Sequence, residues 1–259
     1  MQLYMFEAGI LQSQKHLFTL NQGVHEPFNV PVPFFLIKHP KGNVLFDTGN
    51  ALETVNDKHN HWKGILEVYD PVMIEEQWCV NAIKNADCTP EDIKYVVLSH
   101  LHLDHAGGVG HFPNARYIVQ REELHFAYVP DPYMKAAYIR KDFDKEVDWM
   151  ILEGWQQDRF DLFGDGSLII YFTPGHTPGH QALLVNLPNS GPMFLTADSC
   201  YTEKNLNEGV LPGLMWNAAE TVRSVERMRH LRDSIGARII TGHDPAAWKL
   251  LRKAPEWYD

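Results

Sequence analysis

Tyr95-Val96-Val97-Leu98-Ser99-His100-Leu101-His102-Leu103-Asp104-His105-Ala106-Gly107-Gly108 is the stretch on which the reading of this chain turns. An apolar β run stops at Ser99, and four metal-capable side chains follow within six residues. In an extended segment, positions i, i+2 and i+4 project to one face, so His100, His102 and Asp104 can converge. His105 points elsewhere, which suggests a second metal beside the first. Imidazole and carboxylate together suit zinc, iron, cobalt or manganese; calcium and magnesium prefer all-oxygen shells.

The same punctuation recurs down the chain. Leu168–Phe172 is followed by Thr173-Pro174-Gly175-His176, Met193–Ala197 by Asp198, and Arg238–Gly242 by His243. Each β run therefore ends at a candidate ligand, on the carboxyl edge where α/β sheets carry their sites. Leu3–Phe6 reads as a first strand, and Pro33–Lys38 with Asn43–Phe46 as a hairpin turning at Pro40-Lys41-Gly42. Arg116–Gln120 and Ala182–Leu187 are further strands, and Arg121–Tyr128 a helix. Residues 51–70 read as a long loop and 73–87 as an amphipathic helix. Residues 129–165 form an aromatic-rich irregular insertion of the kind that builds a lid or pocket wall. The helix over 218–235 has Asn217 as its cap, Glu220 three residues on, an apolar stripe of Val222, Val225, Leu231 and Ile235, and Gly236 as its stop. Two β-rich halves, each followed by helices, predict an α/β four-layer αββα sandwich, with residues 1–259 forming a single domain.

Composition narrows the function. The chain has 259 residues and a formal charge of −10, which repels phosphate backbones and anionic lipid and argues against nucleic acid or a membrane as partner. Three cysteines without a CxxC pair give no disulfide framework. No signal-peptide pattern and no run of about 20 apolar residues is visible, so a cytoplasmic location is expected.

The ordered set HxHxDH at 100–105, the TPGH histidine at 176, Asp198 and the GH histidine at 243 resembles the metallo-β-lactamase superfamily over essentially the whole chain, the Asp47-Thr48-Gly49 turn included. Within it, Ser99 to Gly108, Ile118-Val119-Gln120-Arg121, Thr173 to Gln181 and the tyrosine three residues after Asp198 resemble the N-acyl-homoserine lactonases. The resemblance implies the αββα fold and two divalent ions, zinc first, with cobalt, manganese or iron as alternatives. It implies His100, His102 and His176 on one ion, Asp104, His105 and His243 on the other, and Asp198 bridging. Seven ligands do exceed what one tetrahedral ion can use. It further implies a lactone as small-molecule substrate, Tyr201 and Asp104 as catalytic groups, and the metal centre as the source of a bridging hydroxide. A homodimer is a further expectation.

Other residues take plainer roles. His180 is expected to orient the loop by hydrogen bonds, Asp47 to fix the ligand loops through backbone contacts, and Asp244 to support His243. Cys200 reads as a small buried hydrophobe, and His111 and His125 as surface or packing histidines. Phe28, Trp62, Ile65 and Tyr69 are candidates for the acyl-pocket wall. Hydrolysis of simple γ-lactones or of a glutathione thioester needs the same metal site; a non-enzymatic metal-binding role is the reading of another class.

Overall fold

The computed structural model describes all 259 residues. The first sheet has eight strands: β1 (Gln2–Gln14), β2 (Pro27–Lys38), β3 (Asn43–Phe46), β4 (Asp70–Val72), β5 (Ile93–Val97), β6 (Arg116–Gln120), β7 (Asp148–Leu152) and β13 (Trp257–Tyr258), in the order β13-β1-β2-β3-β5-β6-β7 with β4 paired to β1. The second has five: β8 (Arg159–Asp161), β9 (Leu168–Phe172), β10 (Gln181–Leu187), β11 (Gly191–Leu195) and β12 (Arg238–Ile240), in the order β12-β11-β10-β9-β8. Both are mixed. Hairpin neighbours such as β1–β2 and β9–β10 pair antiparallel, whereas β3–β5, β5–β6 and β11–β12 pair parallel.

The period of two along each strand sorts side chains between layers. Leu3 and Met5 of β1, Val97 of β5, Leu183 and Val185 of β10 and Leu195 of β11 face a core enclosed by both sheets. Their alternates Tyr4, Phe6 and Val96 pack outward against Cys79, Ala82 and Ile83. Leu184 and Phe194 likewise pack outward against Met228 and Leu231 of the long helix. Helices thus cover the outer face of each sheet, and the layers follow the order αββα.

That helix, Ala218–Ile235, begins where Asn217 Oδ1 accepts from the Ala219 and Glu220 amides at 2.9 and 3.1 Å, and ends at Gly236 with φ 67°. Its buried face is Thr221, Ser224, Val225, Met228 and Leu231. Val222 and Ile235, expected in the stripe, are half-exposed at 47% and 48% because they lie off that face. Burying side chains of the Met228 and Leu231 size stabilises the packing by about 1.5–3 kcal/mol each. The helix also grips the TPGH loop: Ser224 Oγ donates to Pro174 O at 2.7 Å, and Arg227 to Phe172 O at 3.1 Å. Gly175 is required there, since a Cβ would sit 2.4 Å from the Thr221 amide nitrogen.

Several sequence expectations change. Residues 73–87 do not form one helix: the chain makes a 3-10 turn at Glu75–Gln77, goes extended at Trp78, then runs through Cys79–Ala82 and Ile83–Ala86. Ile74 is exposed while Trp78 buries its ring against His111, so the apolar positions do not share one helical face. The 51–70 segment contains short helical turns at Glu53–Asn56, Lys58–His61 and Lys63–Glu67, and the 129–165 insertion contributes β7 and β8. β1 and β2 extend well beyond Leu3–Phe6 and Pro33–Lys38, forming a long antiparallel ribbon.

Candidate metal centre

Four strand ends meet on one edge: β5 delivers His100, β9 His176, β11 Asp198 and β12 His243. The loop after β5 is not extended. The His105 and Ala106 amides both donate to His102 O, at 3.0 and 3.1 Å, closing a helical turn. That turn separates Asp104 from His100 and His102, so the three do not share a face. The ligand atoms form two groups instead, His100, His102, His176 and Asp198 in one and Asp104, His105 and His243 in the other, all buried.

The Asp198 carboxylate divides between them. Its Oδ2 lies 3.6 Å from His100 Nε2 and 3.3 Å from His176 Nε2. Its Oδ1 lies 3.1 Å from His105 Nε2 and 2.9 Å from His243 Nε2. Asp104 Oδ2 is 3.7 and 3.6 Å from the same two imidazoles. Two ligand atoms about 2.0–2.1 Å from a tetrahedral ion stand about 3.3 Å apart, so these spacings suit a pair of cations sharing one carboxylate.

The far nitrogen of most of these rings is already committed, which fixes the tautomer. His105 Nδ1 donates to Asp47 Oδ2 at 2.9 Å, and His243 Nδ1 to Pro31 O at 2.7 Å. His176 Nδ1 faces Leu214 O at 3.2 Å. Ser99 Oγ donates to Asp47 Oδ2 at 2.8 Å and accepts from His100 Nδ1 at 2.9 Å. Asp47 also holds the Ser99 amide at 2.6 Å, so it acts on the His105 ring directly as well as on the loop backbone. His102 differs, presenting Nδ1 to His176 Nε2 at 2.9 Å while Tyr138 packs on its ring.

The nitrogens turned inward fit a metal. His100 Nε2 is buried without a hydrogen-bond partner, and His105 Nε2 meets only the Asp198 and Asp104 carboxylates, an arrangement that a cation would satisfy. Burial drives the His100 and His102 imidazoles well below their usual range and His176 down to about 4, leaving the neutral ring that ligation requires. Burial would lower His105 and His243 too, but Asp198 and Asp104 outweigh it and raise both. Burial likewise would raise Asp198, yet His105 and His243 hold it well below the carboxylate range. The second group thus asks for positive charge at its centre.

Beside the ligands lies a cavity of about 20 Å³, room for one water. Tyr201 and Tyr69 line it together with His102, Asp104, Asp198 and His243, and Leu11, Phe18, Leu103, Ala137 and Leu214 close it. Tyr201 Oη stands 3.2 Å from His176 Nδ1. Burial, then the Asp198 charge, pushes this phenol well above its usual pKa, so it remains an O–H donor. Of the four proposed wall residues only Tyr69 reaches the cavity. Phe28 packs tilted against Phe18, ring centroids 5.6 Å apart, and Trp62 and Ile65 line a neighbouring basin.

The chain matches the metallo-beta-lactamase superfamily model over residues 28–243. It is 50% identical over 257 residues to the N-acyl homoserine lactonase AttM of Rhizobium radiobacter, covering 99% of this chain and 98% of that one. It is 33% identical to the N-acyl homoserine lactonase AiiA of Bacillus thuringiensis subsp. kurstaki, over 88% of this chain and 87% of that one. The chain belongs to the metallo-beta-lactamase superfamily, among the N-acyl homoserine lactonases. A solved N-acyl homoserine lactone hydrolase with N-hexanoyl-L-homoserine bound at its catalytic metal centre superposes with a TM-score of 0.89 at 29% identity, covering 99% of this chain and 98% of that one.

Several supports of the site escaped the sequence reading. Glu123, fully buried, accepts from the Leu101 amide at 2.9 Å, Tyr138 Oη at 3.0 Å and Thr177 Oγ1 at 2.5 Å. One carboxylate therefore ties the His100–His105 loop to the His176–His180 loop. Gly179 lets them close up, because a Cβ there would lie 2.1 Å from the Glu123 nitrogen. Gln181 Nε2 donates to Leu98 O and Ile118 O at 2.8 and 3.1 Å, stitching the two sheets at the site. A carboxylate spaced with Ala127 on the inner face of an amphipathic helix was the available signal for Glu123. His180 accepts from the Asp198 amide at 3.2 Å and donates to Thr173 Oγ1 at 2.9 Å, orienting the bridging residue. Asp244 caps Pro245–Lys249 and holds the Glu203 amide, with no contact to the His243 ring. Cys200 is buried, His125 is exposed, and His111 is an exposed residue packed on Trp78.

Proposed function

We propose that this chain is a dinuclear metal-dependent hydrolase that opens the ring of N-acyl-homoserine lactones, with residues 1–259 as one catalytic unit. The observation that carries the reading is the division of Asp198 between two imidazole groups, with the Tyr201 phenol at the same cavity. His100, His102, His176 and Asp198 would hold one ion, Asp104, His105, His243 and Asp198 the other, with zinc as the first choice for an imidazole-rich set. A pair of divalent ions in such a cage supplies Lewis acidity and brings the pKa of water toward neutrality.

The chain's own groups do the rest. Tyr201 Oη accepts from the His176 Nδ1–H, which leaves its own proton to donate to the carbonyl oxygen as negative charge develops there. A donor of that kind is worth about 2.7–4 kcal/mol in the transition state. Asp104 lines the same cavity as Tyr201, where its carboxylate would pass the proton given up by the attacking water to the ring oxygen as the ester C–O bond breaks. Leu11, Phe18, Leu103 and Leu214 exclude bulk water.

A lactone ring exceeds the water-sized cavity, so substrate entry requires side chains lining it to move. The same tightness favours simple γ-lactones as a second reading. The three buried, unpaired thiols support a reducing, cytoplasmic setting. The deciding experiment is purified protein with metals counted, tested on γ-butyrolactone and on homoserine lactones of graded acyl length, with proton release as readout. Acyl-homoserine lactones are expected to give the highest kcat/KM. Faster turnover of a thioester than of any lactone would overturn the reading.

A further inference from the structure

The candidate ligands divide by sheet as well as by metal group. The first sheet supplies His100, His102, Asp104 and His105 from the loop after β5, and the second supplies His176, Asp198 and His243 beyond β9, β11 and β12. Each group in the cage draws on both sheets, and Asp198 of the second sheet faces both groups. The register of one sheet against the other therefore sets how far apart the two metal positions lie. Between the sheets the packing is apolar, with Val97 and Ile118 on one side and Leu183 and Leu195 on the other. Apolar burial is non-directional and tolerates small slides, whereas hydrogen bonds fix position along a strand.

Two glutamines interrupt that apolar layer at the ligand edge. Gln181 opens β10 on the face of Leu183 and Val185, and Gln120 closes β6 on the face of Ile118; they are 0% and 2% exposed. The Gln181 amide donates to Ser99 O at 2.8 Å, and its Nε2 donates to Leu98 O at 2.8 Å and Ile118 O at 3.1 Å. Gln181 thus grips the first sheet with main chain and side chain together, at the two residues that precede His100. Its Oε1 accepts from Gln120 Nε2 at 2.7 Å, and Gln120 Oε1 accepts from the Gly154 amide at 2.8 Å. Buried amides are costly when left unpaired and rigid when paired, and here both side-chain oxygens and both nitrogens have partners. A methionine of similar length would fill the same space, so packing alone does not call for an amide at either position.

On the dinuclear reading above, we propose that Gln181, braced by Gln120, is a positioning residue for lactone hydrolysis: it locks the register of the two sheets at the ligand edge and thereby the separation of the two cations.

The test compares the zinc-loaded protein with its Gln181→Met variant, which removes the three side-chain hydrogen bonds of Gln181. Ions per chain are counted, metal affinity is titrated, and the metal–metal separation is read by X-ray absorption. The variant should hold two ions at saturating metal, with a shifted or broadened separation and metal affinity lowered about tenfold. Its kcat should fall by about 10–100-fold with KM within about twofold. Gln120→Met leaves the bonds to Leu98 O and Ile118 O in place and should show the same changes at smaller size. Leu183→Ala, also between the sheets, should lower Tm while leaving separation and kcat unchanged. A lowered Tm with unaltered separation and kcat in Gln181→Met would overturn the proposal, and the same result in Gln120→Met would do so if Gln181→Met fails to fold. An equal shift of the separation in Leu183→Ala would also overturn it, by making any loosening of the layer sufficient. A single ion in the unsubstituted protein would overturn the dinuclear reading and this role together, whereas two ions at one unchanged separation in every variant would overturn this role alone.

Discussion

The metal cage and the wall outside it are built on opposite principles. In the cage, the candidate ligand side chains sit at strand ends or in one tight turn, are buried, and in most cases have their outward nitrogen fixed by a carboxylate, hydroxyl or carbonyl. In the outer wall, residues 58–69 and 129–145, the chain runs through short turns with exposed lysines and a strained Lys63. Chemistry needs donor atoms placed to within fractions of an ångström, and sheets with buried hydrogen bonds provide that. Admission of a substrate larger than the resting cavity needs parts that yield at low cost, and short irregular segments provide that.

The contrast is open to attack, hardest at its centre. Asp198→Asn removes the carboxylate charge that both groups share, so kcat/KM should fall by about 10³-fold or more, with metal content falling in step. A variant retaining two ions per chain would break the claim that Asp198 joins the groups. Tyr201→Phe removes one donor and should lower kcat by about 10²–10³-fold at unchanged metal content. Equal loss of metal would make this tyrosine a structural support. Glu123→Gln tests the strut between the loops. It should reduce metal affinity or activity by about 10–100-fold, with weakened metal retention on dilution as the mark of lost positioning. Normal metal affinity with a lowered Tm alone would mean that Glu123 serves only packing.

The smallest effect belongs to the outer wall, where His61 and Asp142 form a buried pair at 2.7 Å. The hydrogen bond that His61 donates to Asp142 raises the imidazole above 6.5, and burial raises the Asp142 carboxyl despite His61. Both shifts mean that the fold holds protons more tightly than the unfolded chain. The His61 contribution is then full below about pH 6.5 and fades as pH rises through its higher folded value. The Tm gap between the protein and its Asp142→Asn variant should be about 2–4 °C at pH 6 and shrink by pH 9. A gap that widened with pH would reverse the assignment.

Much of the cage was legible because its signals are local. A strand with period two ends abruptly, and the residue just past it is histidine or aspartate. The αββα layering followed from the same strands. What escaped depends on contacts across long separations: Glu123 meets Thr177, Gln181 meets Leu98, and His61 meets Asp142. The expected convergence of His100, His102 and Asp104 failed because the loop coils at His102, which strand periodicity cannot report. The helix expected over 73–87 failed for a related reason. Trp78 leaves the helical path to bury its ring, and tertiary packing overrode local propensity. Phe28, Trp62 and Ile65 are aromatic or apolar and close to the site, yet only their neighbour Tyr69 reaches the inner cavity, a distinction set by backbone direction.

Anomalous diffraction from metal-replete crystals tests the account most directly. Two peaks per chain are expected, one among His100, His102 and His176 and the other among Asp104, His105 and His243, with one Asp198 oxygen on each. A single peak, or two that do not share Asp198, would contradict it.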